Sequence, residues 1–362
     1  MKILVAGDWH SELHEEPLYR ALCALGHDAH RFAWHQYFGG KASSLGSAFA
    51  RFQNKYLLGP IIDRINANLV AQATQLQPDL LFIYRGTHIK ATTIQRLRET
   101  VPGLTVAGYN NDDPFAPNQP QWLWRHFKAA LREYDVALAY RQHNMDDFKR
   151  HGARCTYLLR SWFVPERNHP VTLNEEDMQA FGSEVVFIGH YENDGRLQLL
   201  EQIARAGHRL RLFGHGSDWD PVLMESKWLR SLAPIRLVWG EDYNKALCGA
   251  KIALCFFSRL NRDTYTRRCF EIPATGTLLL SEHSDDLATL FAEGREADFF
   301  RSGEELLAKL RLYIEDEPRR RRVAAAGMAR VHADGHDVKS RMKTFLEWLE
   351  SARLPDRQYH AA

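Results

Sequence analysis

What the chain lacks narrows the field first. None of its 362 residues fall in an apolar stretch near the 18 or so that cross a bilayer. The opening MKILVAGDWH has one Lys and a five-residue apolar run before Asp8, which reads as a buried strand rather than a secretion signal. Cysteine is scarce and odd in number: Cys23, Cys155, Cys248, Cys255 and Cys269 are widely spaced, with no CxxC pair. That excludes a disulfide framework and predicts reduced, buried thiols in a cytosolic protein. GxSxG is missing, so a nucleophile elbow has no support, and the missing GxGxxG counts against a nicotinamide enzyme. Neither sign of charge dominates: 47 Lys/Arg face 45 Asp/Glu, so no global field calls for nucleic acid. The run 319–322, four arginines, reads as the solvated face of a helix.

What is present is an alternation of apolar runs and amphipathic segments. Strands are expected at 2–6, 29–33, 80–84, 105–109 and 136–140, with helices at 15–25, 92–99, 121–133 and 143–151. The span 164–183 is polar and Pro-containing and reads as a linker. The pattern then restarts, with strands at 185–189, 210–214, 235–238, 252–257 and 277–281 and helices at 197–206, 243–249 and 304–313. Such alternation favours parallel sheets covered by helices on both faces. A chain of this length divides naturally into two domains of about 180 residues. Residues 1–163 hold 19 Lys/Arg against 14 Asp/Glu, so the first half is mildly basic. Random surface variation and a preference for anionic acceptors or a membrane surface both account for that.

The segment 258–282 reads SRLNRDTYTRRCFEIPATGTLLLSE, a polar, Arg-rich stretch between two apolar runs. Asp263 and Glu271 stand there in an acid-x7-acid spacing. The segment resembles the donor-site stretch of CgeB-like (spore-maturation type) glycosyltransferases of the GT-B fold. LFAEGREADFF and EELLAKLRLYIEDEPRRRRVAAAGMARV continue the likeness, and TVAGYNNDDPFA carries it weakly into the first half. The resemblance implies an α/β chain of two Rossmann-like domains facing an interdomain cleft. The acceptor-side domain would take 1–165, the linker 166–183 and the nucleotide-sugar domain 184–335. A terminal helix within 336–362, with Met342, Phe345, Leu346 and Leu349 at helical spacing, would brace the first domain.

The chemistry follows from the donor. A diphosphate needs positive charge or amide donors, a ribose needs a carboxylate acceptor, and the leaving phosphate needs charge stabilisation. Thr264 or Thr266 is expected to cap a short helix starting near Tyr265, aiming its amides at the diphosphate. Arg268 lies three residues before Glu271 on one helical face, and Arg267 points elsewhere. By likeness to the family, Arg268 serves the diphosphate, Glu271 the ribose and Asp263 the donor sugar. Asn261, Thr266 and Arg267 join the donor-binding set, as do Gly189 and Arg196 after the strand at 185–189 and Gly214 and His215 after the strand at 210–214. In the first half, His10, the YRGTH of 84–88 and the NNDDP of 110–114 follow strands. Asp112 or Asp113 is placed to orient an acceptor hydroxyl or act as a base, and NNDDP is equally good turn chemistry. His10 and His14 form an HxxxH, but without a third ligand or an HExxH no metal site is expected. The segment 121–133 sets Trp122, Trp124, Phe127 and Leu131 beside Arg125, His126, Lys128 and Arg132; it reads as a core helix or as one touching a membrane.

The expected activity is sugar transfer from a nucleoside-diphosphate sugar, with no bound cofactor or metal, to an unidentified acceptor: a glycan, a lipid-linked glycan or a protein. The acid-x7-acid likeness favours retention of configuration. The expected location is cytoplasmic, with peripheral contact at the inner membrane face. A sugar-nucleotide epimerase and a catalytically silent sugar-nucleotide-binding scaffold are the competing readings.

Overall fold

The computed structural model describes residues 1–39 and 44–357, and the chain forms two compact units. The first gathers Met1–Arg160 and the chain from Val338 onward; the second is Ser161–Asp337.

The first unit is built on six parallel strands: β1 (Lys2–Gly7), β2 (Asp28–Ala33), β3 (Leu80–Tyr84), β4 (Thr105–Asn110), β5 (Val136–Ala139) and β6 (Thr156–Leu158). Their order is β2-β1-β3-β4-β5-β6. β1 and β3 to β5 are continuous apolar runs because helices cover both faces. Leu4, Ala6, Leu81, Ile83 and Val106 pack on one side with Ile62, Ile65 and Leu69 of helix Pro60–Leu76. The helix Val338–Arg357 belongs to this unit: Met342, Phe345, Leu346 and Leu349 are buried. Phe345 stands edge-on to Phe82 at 6.1 Å and lies 5.6 Å from Tyr157.

The second unit has β7 (Ser183–Ile188), β8 (Leu210–Phe213), β9 (Ala250–Cys255), β10 (Leu278–Glu282) and β11 (Asp298–Phe300), all parallel. The order is β11-β10-β9-β7-β8. In each sheet the chain leaves its first strand toward one edge, then returns to that strand's other side. Loops beyond the carboxyl ends of β1 and β3, and of β7 and β9, therefore diverge around a crevice, the usual ligand position in such sheets.

Several elements differ from expectation. Residues 235–238 form no strand: Leu237 is exposed between buried Ile235 and Val238, and the segment reaches the sheet's end through the Gly214 amide and the Arg236 carbonyl, 3.1 Å apart. The span 166–183 contains the helix Glu175–Phe181, whose Asn174 side chain accepts the Asp177 amide at 2.8 Å. Residues 121–133 are a 3-10 turn, Gln121–Trp124, followed by the short helix Arg125–Ala130. The helices Ser44–Tyr56 and Pro60–Leu76 were not expected from the pattern. Of the cysteines only Cys255 and Cys269 are buried; Cys23 is exposed. Arg320 turns inward and donates to the Tyr313 carbonyl at 2.7 Å, so the arginine run is not wholly a solvated face.

Truncating the Phe345 ring should leave a cavity against Phe82 and Tyr157. Phe345→Ala is expected to cost the first unit about 3–5 kcal/mol in urea unfolding. A loss below about 1 kcal/mol would show that the terminal helix is not part of that core.

Candidate functional site

The second unit's site is built from the loops after β7 and β9 and the helix Arg268–Ala274. After β9 the chain folds back on itself. The Asp263 amide donates to the Ser258 carbonyl at 2.9 Å, and the Asp263 carboxylate accepts the Ser258 amide at 3.3 Å. The Ser258 hydroxyl accepts the Asn261 amide at 3.3 Å, and Arg262 takes a left-handed φ of 47°. Asp263 and Asn261 thus hold the loop's own shape. Tyr265 is fully buried, its hydroxyl accepting the Ser161 amide at 3.0 Å.

The helix begins later than expected, at Arg268, and neither threonine caps it. The Thr264 hydroxyl donates to Asp286 at 2.6 Å, and the Thr266 hydroxyl turns inward to Cys255 Sγ at 3.2 Å. Nor do the amides of its first turn point outward. Those of Cys269, Phe270 and Glu271 are bonded to the carbonyls of Thr266 and Arg267 at 2.9–3.1 Å. A turn this tight satisfies its own donors, so these three amides are not left free for an anion.

Three arginines converge on this end of the sheet with different commitments. Arg196 is 4% exposed; it grips Asp194 through Nε and Nη2 at 2.9 and 2.6 Å and donates to the His190 carbonyl at 2.7 Å. It is a structural fork rather than a phosphate ligand. Arg267 pairs with Glu271 at 2.8 Å, one turn along the helix, so it shares that face instead of pointing elsewhere. Arg268 is half-buried and, among the described residues, its guanidinium makes no hydrogen bond or ion pair. Its guanidinium lies against Gly189: a methyl there would stand 3.0 Å from Nη2 and 2.8 Å from the Phe187 ring.

Glu271 is 5% exposed. Besides Arg267 it takes a hydrogen bond from the Tyr243 hydroxyl at 2.6 Å. Loss of solvation, then the Glu271 charge, holds the Tyr243 phenol well above its ordinary value, so it remains a donor. Tyr243 went unnoticed in the sequence; it lies 28 residues upstream on another helix, and no local spacing links the two. Glu192 is a second unnoticed residue. Burial alone would raise its carboxyl, but the His190 imidazole at 2.6 Å, the Ser258 side chain and Arg196 at 3.7 Å overcome this and bring it from 4.5 to about 2. Gly214 serves the backbone: a methyl there would lie 2.3 Å from the Gly189 carbonyl, which also accepts the Trp219 indole N–H at 2.8 Å. His215 is exposed beside it.

In the first unit, the loops after β3 and β4 come together. Arg85, in a left-handed conformation, pairs with Asp112 at 2.9 Å. Asp113 is fully buried and accepts from the Phe115 amide at 3.0 Å and from Asn144 at 2.9 Å, which makes it a turn-former. Asp113, His143 and Asp147 approach metal-ligand spacing, yet Asn144 also donates to Asp147 at 3.2 Å and Arg150 pairs with it, so the carboxylates are satisfied by side chains. His10 is exposed, and the HxxxH lies ahead of the first helix rather than on one. The loop after β1 is held by Glu15, 2% exposed, which accepts the Asp8 amide at 2.9 Å. Burial raises its carboxyl. His88 stacks on Trp34; burial, then Arg85 and His126, lower it to about 3, so it is a neutral core residue.

With this geometry in place, likeness to known proteins becomes informative. Residues 196–347 match the family model described as "Glycosyl transferase-like". A search of curated proteins gives no match. Anabaena HepE, solved in complex with UDP-glucose, is similar at 15% identity and a TM-score of 0.67, covering 97% of this chain and 100% of that one. Sucrose-phosphate synthase from Thermosynechococcus elongatus gives 12% identity and a TM-score of 0.69, with both chains covered fully. The alpha,alpha-trehalose 6-phosphate synthase of Burkholderia multivorans gives 12% identity and 0.63, over 98% and 99% of the chains. The fold is GT-B, with two Rossmann-like domains, and the match to the glycosyl transferase-like model spans residues 196–347.

The depressed Glu192 sets a pH signature. A folded value below the unfolded one contributes stability that is present above about pH 4.5 and lost as pH falls through about 2. The difference between wild type and Glu192→Gln should be about 1–3 kcal/mol at pH 7 and shrink steadily between these limits in denaturant titrations. A difference independent of pH would mean that the Glu192 charge is not what is stabilised.

Proposed function

We propose that this protein is a glycosyltransferase that takes its sugar from a nucleoside-diphosphate sugar held by the second unit. The observation that carries this is Arg268. A half-buried guanidinium with no carboxylate or carbonyl partner lies at the carboxyl ends of β7 and β9, against a glycine that leaves its approach open. Its neighbours Arg196 and Arg267 are both neutralised by acids, so the remaining positive charge is aimed at one place. A diphosphate is the anion that the matched family region and the UDP-glucose complex of HepE make the natural occupant.

In this reading Arg268 stabilises the charge that gathers on the departing diphosphate, where an oriented cation does most for the rate. Glu271, fixed by Tyr243 and Arg267, accepts from the ribose hydroxyls with the lone pairs those contacts leave. Asp263 shapes the loop beside the sugar. The first unit presents the acceptor, with Asp112 or His10 near the reacting hydroxyl. Transfer retains anomeric configuration and needs no metal, and the CgeB-like kinship of 258–282 belongs to the same proposal. The protein works in the cytoplasm, at or near a membrane carrying a lipid-linked acceptor.

Two variants test the assignment. Arg268→Ala should lower kcat by about 10²–10³-fold with a smaller change in donor affinity, as for other groups that act on transition-state charge. A rise in KM alone, with kcat preserved, would restrict Arg268 to ground-state binding. Glu271→Gln should weaken donor binding by about 1.5–3 kcal/mol in calorimetry, the range for a charge-assisted hydrogen bond. Unchanged affinity would remove Glu271 from the ribose.

A further inference from the structure

The first unit carries an exposed aromatic face that no part of the donor chemistry uses. Helix Ser44–Tyr56 places Phe49, Phe52 and Tyr56 at i, i+3 and i+7, on one side. Phe49 is 57% exposed and Phe52 48%, where a helix packed on the core would hide them. Phe52 lies 4.7 Å from Tyr56, which lies 5.3 Å from Trp122 on the neighbouring 3-10 turn. Trp122 and Leu58 extend the face into solvent. Arg125 fixes the two elements together by donating to the carbonyls of Tyr56 and Leu57.

The two segments that build this face carry one sign of charge. Residues 44–62 and 117–132 contain no Asp or Glu, yet they hold Arg51, Lys55, Arg125, Lys128 and Arg132. Arg51 and Lys55 each precede an aromatic of the stripe by one position and are exposed along its flank. Three exposed aromatic rings and a leucine, edged by cations with long apolar stems, match an interface where acyl chains meet anionic headgroups. Stacked bases of a single-stranded nucleic acid would use the Phe and Trp rings but leave the exposed Leu58 without a partner, whereas an acyl-chain boundary takes both.

We infer that this face docks the protein on an anionic lipid bilayer, with Phe49, Phe52, Leu58 and Trp122 entering the interface and Arg51 and Lys55 against the headgroups. The docking does not rest on the donor reading, because all its residues lie in the first unit and away from Arg268 and Glu271 in the chain.

Flotation with phosphatidylcholine vesicles, alone and with about 30 mol% phosphatidylglycerol, tests it. The wild-type chain should float with the anionic vesicles only, and release as salt rises from about 50 to about 500 mM. Phe49→Ser with Phe52→Ser, and separately Arg51→Glu with Lys55→Glu, should each cut the bound fraction about tenfold or more while thermal melting is unchanged. Trp122→Ser repeats the test on the other element. Failure of the wild type to float, or equal flotation of folded variants, would overturn the proposal. So would binding to single-stranded RNA in place of vesicles, or a dimer in sedimentation that the Phe49→Ser/Phe52→Ser variant loses. Donor titration of the same variants separates the two readings, since a docking failure leaves it untouched.

Discussion

The contact between Gly189 and the Arg268 guanidinium is the constraint on which the second unit's site depends. The residue that follows β7, Gly189, must lack a side chain, because Phe187 fills one side of that position and Arg268 the other. β8 must approach closely too, and Gly214 allows its backbone to meet the Gly189 carbonyl. Trp219 then locks that carbonyl from the helix side. Two glycines just beyond adjacent strands thus clear a space at the sheet's end, and Arg268 is left facing it.

Why that arginine stays unpaired is a matter of distribution. The segment holds acids in plenty, but each is spent elsewhere. Asp194 is gripped by Arg196, Asp263 closes its own loop, and Glu271 is shared by Arg267 and Tyr243. Neutralising the neighbours raises the contrast at Arg268, since a half-buried cation without a counterion remains favourable for an incoming anion. Glu192 reinforces the arrangement by tying His190 and Arg196 of the loop after β7 next to Ser258 of the loop after β9.

Much of this was legible in the sequence. The strands read at 80–84, 105–109 and 277–281 are largely apolar runs bounded by polar residues, as expected of strands covered on both faces. The candidate donor segment, 258–282, stood out by its density of Arg and acid between two apolar runs. The failures have physical causes. Residues 235–238 have the composition of a strand, but burial there is by isolated side chains, with one backbone bond to the sheet's end. The Thr264 and Thr266 caps failed because both hydroxyls found tertiary partners, Asp286 and Cys255, that no local rule anticipates. Arg267, not Arg268, met Glu271 because i,i+4 rather than i,i+3 alignment prevailed at the helix start. Helix Ser44–Tyr56 escaped notice because its exposed aromatics break the usual relation between apolar residues and burial.

The central claim is that the second unit is an anion site shaped for a nucleoside diphosphate. Calorimetric titration of the wild-type chain with UDP-, GDP-, dTDP- and CMP-sugars tests it most directly. The account predicts that one nucleoside-diphosphate sugar binds and is displaced by its own nucleoside diphosphate. Binding of none of them, or equal binding of CMP-sugars that lack a diphosphate, would contradict it.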